Sequence, residues 1–318
     1  MKRDLIAYGT PFIDNLVHID HLPTKKDEGA RMLQTSWQGG GKVSSALTAF
    51  GQLGGASSMI GTVGADSYGD FLVKDYGRYN VDTSRMVRDG TNYFSIVLSD
   101  PITHGRNIIS RPGTVRKYTV EDIDEEFVRR HKVLHLENPD AVSHRLAEII
   151  HENGGTVCYD GDGYSEQAQQ FLPEIDVFIG SEFYYTKLFG DSEEYEKNLR
   201  SVMEKGPRIV VFTLGDKGSV VAWKDGYYFA PGYKVKVVDT LGAGDVYHGG
   251  FLYAMMEEKL PPDQCAQFAN AVSAIKCTGI GGRAATPTLQ MVKDFMATGE
   301  CDRSLIEEKT KLYETFNA

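Results

Sequence analysis

The sequence predicts an α/β fold in three layers: a mostly parallel central sheet with helices on both faces, and a small β lid beside it. Three observations carry this reading. Short apolar, β-branched runs alternate with helix-compatible runs along most of the chain, and parallel strands joined by crossover helices produce that alternation. Two stretches, Phe12 to Trp37 and Asn92 to Arg111, keep strand-like patterning without an intervening helix, which places them outside the main sheet. Gly242, Ala243 and Gly244 sit between a β-rich run and a helical run, where unpaired backbone N–H groups can meet an anion.

Taken in order, Leu5 to Gly9 is a short apolar run ending in glycine, the pattern of a buried parallel strand. Val43 to Leu53 reads as a helix stopped by Gly54 and Gly55, and Ser58 to Val63 as the next strand. Asp66 supplies an N-cap for a helix running to Tyr79, with Phe71, Leu72 and Tyr76 as its apolar face. Strands at 132–136, 156–159, 176–179 and 208–213 then alternate with helices at 140–152 and 192–204. The stretch after Thr213 fits a hairpin into Ser219 to Trp223. Tyr233 to Val238 is β-rich, and Phe251 to Met256 and Gln267 to Cys277 suit helices.

The segment Asp239-Thr240-Leu241-Gly242-Ala243-Gly244-Asp245 carries the most chemistry. Its glycines let a phosphate approach the backbone, and the helix macrodipole attracts the charge. Asp245 then lies beside the phosphate, where a carboxylate can take the proton of an attacking hydroxyl. From the residues alone, a plain turn with Asp245 as a helix cap is an equally simple account. Gln38-Gly39-Gly40-Gly41-Lys42-Val43 is not a P-loop, since Val43 stands where Ser or Thr must follow Gly-Lys.

The segment Asp239 to Asp245, followed by Val-Tyr-His-Gly-Gly-Phe251, resembles the C-terminal signature of the PfkB or ribokinase family of carbohydrate kinases. Gly40-Gly41, counted back from Leu53-Gly54, resembles the paired glycines of that family's N-terminal signature. The resemblance covers essentially the whole chain. It implies one ribokinase-like domain over 1–318, with a discontinuous lid at about 12–37 and 92–111 over the sugar. It also implies that Asp245 is the catalytic base, with Gly242, Ala243 and Gly244 donating N–H groups to the transferring phosphoryl. Asp14, five residues after Gly9, matches the acid that orients sugar hydroxyls. Thr213, Gly215 and Gly218 match the family's nucleotide loop, and Asn270 a residue beside the adenine. Ser181 and Tyr184 stand where the family's N-x-x-E motif has Asn and Glu, which leaves Ser181 as a weak nucleotide-side candidate. The implied cofactors are ATP and Mg²⁺, with a monovalent cation, K⁺, near Asp239.

Lys42 departs from the family's usual Asn. A cation in a helix's first turn opposes the macrodipole by ~0.3–1 kcal/mol, so it is expected either to have an anionic partner or to turn into solvent. An acidic group on the substrate or the transferring phosphate is one such partner, with Arg106 or Arg111 assisting. Helix-terminal placement is expected to keep the Asp245 pKa low. The Ser181-Glu182 pair, the Asp160-Gly-Asp162 turn and the Lys276 to Arg283 run resemble the ketohexokinase and sulfofructose kinase branch. The implied reaction is ATP-dependent phosphorylation of a primary hydroxyl of a ketose or keto-sugar derivative. The alternatives are a nucleoside kinase of the same fold and a non-catalytic sugar sensor.

Composition agrees with a small-molecule enzyme. The chain has 318 residues, 41% hydrophobic and 25% charged, enough for a large core. Its net charge of −10 speaks against nonspecific nucleic-acid binding. No apolar run approaches the ~18 residues of a membrane span, and a cytoplasmic location is expected. The four cysteines, widely spaced, suggest neither a disulfide framework nor a zinc site. An exposed β edge in Phe12 to Trp37 could pair with a second copy, giving a homodimer through the lid, or pack locally.

Overall fold

Alternate residues of the central strands enter two different apolar layers, which is what parallel strands covered on both faces require. In a computed structural model, which describes residues 3–99 and 106–316 and only the backbone of Arg106, Leu5, Ala7, Val177, Ile179 and Val211 join one layer, while Ile6, Phe178, Val210 and Phe212 join the other. The first layer is packed by helices Lys42–Gln52, Ala243–Met256 and Pro262–Lys276 through Phe50, Phe251 and Val272. The second is packed by Ala141–Glu152, Glu182–Phe189 and Tyr195–Met203 through Leu146, Tyr184 and Leu199.

Among the described residues the main sheet has nine strands. In spatial order they are Gly226–Pro231, Gly218–Trp223, Ile209–Thr213, Val177–Gly180, Thr156–Gly161, Val133–Leu136, Leu5–Tyr8, Ser57–Ile60 and Val81–Asp82. The first two run antiparallel as a hairpin on Ile209–Thr213, and the remaining pairs are parallel. The segments expected to form a lid make a separate sheet of Met32–Gly40, Phe12–Ile19, Phe94–Ser99 and Arg106–Arg111. It docks on the body through Leu16 and Val97, which pack with Ile280 and Leu241.

Several expectations are corrected. Tyr233 to Val238 forms no strand, because the preceding edge strand ends at Pro231 and the backbone bonds instead to other loops: Gly232 N–H to Lys217 O and Val238 N–H to Cys277 O. Ser58 to Val63 is broken at Gly61 (φ 135°), which sends Thr62–Val63 into a small sheet with Val87–Arg88. The first lid segment continues to Gly40, so Gly39 and Gly40 are strand residues. In the second, Asn92 lies outside the strand, and residues 100–105 lie outside the described residues.

Candidate active site

Two helices reach the same end of the sheet side by side. A Cβ on Gly249 would run into the Ala46 carbonyl oxygen, so helices Lys42–Gln52 and Ala243–Met256 approach more closely there than any larger residue permits. Each begins at a glycine in a positive-φ conformation, Gly41 at 101° and Gly242 at 74°. Glycine adopts such backbone without strain, and because it has no side chain it leaves the helix end to whatever binds there. The Val43 N–H is met by Glu137 Oε2 at 3.4 Å, and the Ala243 N–H by Thr240 O at 3.1 Å. The Gly244 position is exposed, with nothing within 4 Å of where a Cβ would stand.

Carboxylates converge on this end. Asp245 lies in the first turn of its helix, half-buried, and makes no cap, which removes the plain capping account. Its pKa is raised well above the ordinary carboxylate value, first by burial and then by Asp160, Asp162 and Glu137, while Lys42 opposes the rise. The expected low value is therefore overturned: three like charges and desolvation outweigh a helix terminus whose influence is worth at most ~2 kcal/mol. Burial likewise pushes Glu137 up to about 7 and Asp160 to about 6.

Lys42 is the cation among these acids. Its Nζ lies 3.1 Å from Asp162 Oδ2, and Asp160, Asp162 and Glu137 raise its pKa against the cost of burial. The anionic partner expected for Lys42 is thus supplied from within the chain. Behind it, His135, Asp160 and His248 are buried with ligand atoms within 4.8 Å of one another. Among the described residues, both ring nitrogens of His135, Nδ1 of His248 and Oδ2 of Asp160 have no hydrogen-bond partner. Burial holds both imidazoles neutral, at about 3.

On the lid side, Asp14 is paired across the sheet with Gln38 and Ser95. The Ser95 hydroxyl donates to Asp14 Oδ1, and burial raises the Asp14 pKa to about 6. A Cβ on Gly40 would collide with Asp14 Oδ2 and the Phe12 ring, so this glycine makes room for the acid. Arg111, at the end of its strand opposite Phe94, lies over the Tyr68 ring at 5.8 Å. The side chain of Arg106 falls outside the described residues.

The nucleotide-side candidates meet in one cavity of about 640 Å³ lined by Thr213, Gly215, Gly218, Tyr233, Val235, Ala243, Gly244 and Asn270 among others. The failed strand at 233–238 is therefore a cavity wall. Asn270 Nδ2 donates to Ala230 O at 3.0 Å and holds the end of the edge strand. Ser181 is not among the lining residues; its hydroxyl caps helix Glu182–Phe189 through the Tyr184 N–H and donates to Asp162 O at 2.6 Å. Tyr184 is buried in the core. Asp239 does not reach outward: Oδ1 accepts from Leu241 N–H and Oδ2 from Gly281 N–H.

Glu137, His135 and His248 were not singled out from the sequence, and Asp160 and Asp162 were noted only as a turn. Signals existed: a Glu directly after an apolar strand at 133–136, and a His three residues beyond Asp245 on one helix face. Neither says which distant acid it will meet.

A half-buried carboxylate in the first turn of a helix, beside a cavity, is an arrangement that phosphoryl transfer to an alcohol can use, and the family of this chain is one of phosphotransferases with an alcohol acceptor. The chain belongs to the pfkB family of carbohydrate kinases, whose model matches residues 10–289. It is 25% identical to the ribokinase of Haemophilus influenzae over 309 residues, covering 93% of this chain and 99% of that protein. It is 28% identical to fructokinase-2 of Zea mays over 286 residues, covering 81% and 85%. The structure of Arabidopsis thaliana ribokinase complexed with ribose and ATP superimposes with a TM-score of 0.80 at 22% identity, covering 93% of this chain and 99% of that one. The fold is thus ribokinase-like, and the chain is a kinase of sugars or nucleosides. No helix among the described residues is long and apolar enough to cross a membrane.

Proposed function

We propose that the protein transfers the γ-phosphoryl group of ATP to a primary hydroxyl of a ketose or keto-sugar derivative. The observation that carries this is the packing at Gly249, which sets the Gly242–Asp245 helix end beside the Gly41–Lys42 helix end with Asp245 among them. ATP enters the cavity bounded by Thr213, Gly215, Gly218 and Asn270, with its terminal phosphate toward Gly244. The sugar lies under the lid, its hydroxyls oriented by Asp14 and the Gly40–Gly41 backbone, with Arg111 at the lid's edge. The attacking oxygen forms a bond to the γ-phosphorus as the bond to the β-γ bridging oxygen breaks, ADP leaves, and the hydroxyl proton passes to Asp245. A base with a raised pKa is better matched to that proton than an ordinary carboxylate.

Mg²⁺ suits the residues present. Asp160, Asp162 and Glu137 all act on Asp245 and Lys42, and Asp160 Oδ2, 3.7 Å from His248 Nε2, is buried with no hydrogen-bond partner among the described residues. These acids would hold the ion, which supplies neutralisation of phosphate charge when bound. They stand in for the missing N-x-x-E pair at Ser181 and Tyr184.

The ketose reading is supported by the branch-like 276–283 run and by the fructokinase relative. The decisive experiment measures ADP release with ketoses, keto-sugar acids, aldoses and nucleosides under saturating Mg²⁺ and ATP. Ketose-dependent turnover is expected. Saturation by a nucleoside alone makes this a nucleoside kinase, and ligand-dependent stabilisation without ADP makes it a sensor. A homodimer through the lid is supported by exposed Met32, Leu33, Ile108 and Ile109 on its two outer strands.

A further inference from the structure

The monovalent cation implied by family resemblance does not fit the residues at Asp239. Both carboxylate oxygens already accept backbone N–H groups, from Leu241 at 2.9 Å and Gly281 at 2.8 Å. The remaining oxygen, the Asp239 carbonyl, accepts from Lys276 Nζ at 2.8 Å. Lys276 is fully buried, on the last turn of helix Pro262–Lys276. That terminus carries the negative end of the macrodipole and favours a cation. The next residue, Cys277, accepts from the Val238 and Asp239 N–H groups at 2.8 and 3.2 Å. One helix end therefore grips the start of the anion loop by both its charge and its carbonyl.

We propose that the Lys276 ammonium is the resident cation of this loop, replacing a dissociable K⁺, so that the enzyme works independently of monovalent salt. A bound ion contributes to the loop's order only in proportion to its concentration relative to its Kd. A side chain on a covalent stem cannot dissociate. Its charge polarises the Asp239 carbonyl, the residue from which the chain turns through Thr240 and Leu241 to the helix start at Gly242. Ser273, one turn before Lys276 on the same helix, fixes the far side of that turn by donating its hydroxyl to Ala243 O at 2.9 Å. Lys276 is a positioning residue: it touches the loop and not the reacting atoms. A buried charge held against a carbonyl is costly to remove singly, since the groups arranged around it are then left uncompensated.

The inference rests on the kinase reading for its activity arm, so nucleotide binding is measured alongside turnover. Wild-type protein is assayed at constant ionic strength in KCl, NaCl or tetramethylammonium chloride, for ADP release and for Mg·ATP affinity by calorimetry. Both are expected to agree within about twofold across the three salts; tenfold or greater activation or tighter binding in K⁺ overturns the proposal. If no sugar gives turnover, the affinity comparison still decides it, and the kinase reading fails separately. Lys276→Met is expected to weaken Mg·ATP binding tenfold or more in tetramethylammonium and to regain most of it with methylammonium or K⁺, a rescue that a merely structural lysine would not show. A folded Lys276→Met with wild-type affinity in every salt also overturns it. Should that variant not fold, the wild-type salt comparison stands alone as the test.

Discussion

Gly249 lies against the Ala46 carbonyl oxygen with no space for a Cβ between them. This contact sets how far apart the helix ends at Gly41 and Gly242 stand, and hence where Lys42 lies relative to Asp245. Gly249→Ala forces the two helices apart or strains them, and overpacking of this kind costs about 1–3 kcal/mol. The expected outcome is a lower melting temperature together with a kcat reduced by more than tenfold, because near-attack geometry tolerates little displacement. Thermal unfolding and steady-state kinetics on the same preparation check it. A stability loss with kcat unchanged would separate this contact from the site.

Asp245→Asn keeps the side-chain shape and removes the base. Turnover is expected to fall by about 10²–10⁴-fold, with Mg·ATP affinity changed by only a few fold, as judged by single-turnover ADP formation and calorimetry. Retained turnover would remove Asp245 from the reaction.

Lys42→Met tests the charge balance around that base. Lys42 lowers the Asp245 pKa while Asp160, Asp162 and Glu137 raise it, so loss of the ammonium raises it further. A base must be ionised to act, and the acid limb of kcat/KM is expected to move to higher pH in the variant. A limb that stays in place, or moves down, contradicts this electrostatic picture.

Glu137 makes stability depend on pH in a definite direction. Its folded pKa, about 7, lies above the ordinary 4.5, so the folded state holds its proton more tightly and stability falls as pH rises through 7. Below 6.5 the depressed histidines His135 and His248 act oppositely, since they resist protonation in the folded state. The unfolded imidazoles are still half protonated at 6.5 and finish losing their protons only at about pH 8, so the two histidines keep adding a rising slope over that range, and the Glu137 share is read as the difference between wild type and a Glu137 variant. Between pH 6.5 and 8 the stability of the nucleotide-free wild type measured relative to Glu137→Gln is expected to fall by about 1 kcal/mol in chemical denaturation. Equal slopes in both proteins would refute the assignment.

The exposed lid strands give a last prediction. Light scattering is expected to report twice the chain mass, and Ile108→Glu to return it to one, with the far-ultraviolet circular dichroism unchanged. A monomeric wild type would dispose of the lid dimer.

Most of the order of strands and helices, the glycine turn at 242–244 and the acid just beyond it were legible in the chain, because each is a local pattern: period-two or helical apolarity, and the conformational freedom of glycine. Resemblance to the family singled out Asp14, Thr213, Gly215, Gly218 and Asn270, and the last four line one cavity. That Tyr233 to Val238 would be a cavity wall was settled by long-range packing, since a β-rich run becomes a strand only where an edge is free to pair with it. The structure alone, too, reversed the direction in which the Asp245 pKa moves. Its neighbours Glu137, Asp160 and Asp162 come from the ends of two strands far away in the chain, and Lys276 meets Asp239 across 37 positions. Desolvation and Coulomb interactions depend on distances in space, and those distances exist only once the strands have been laid side by side.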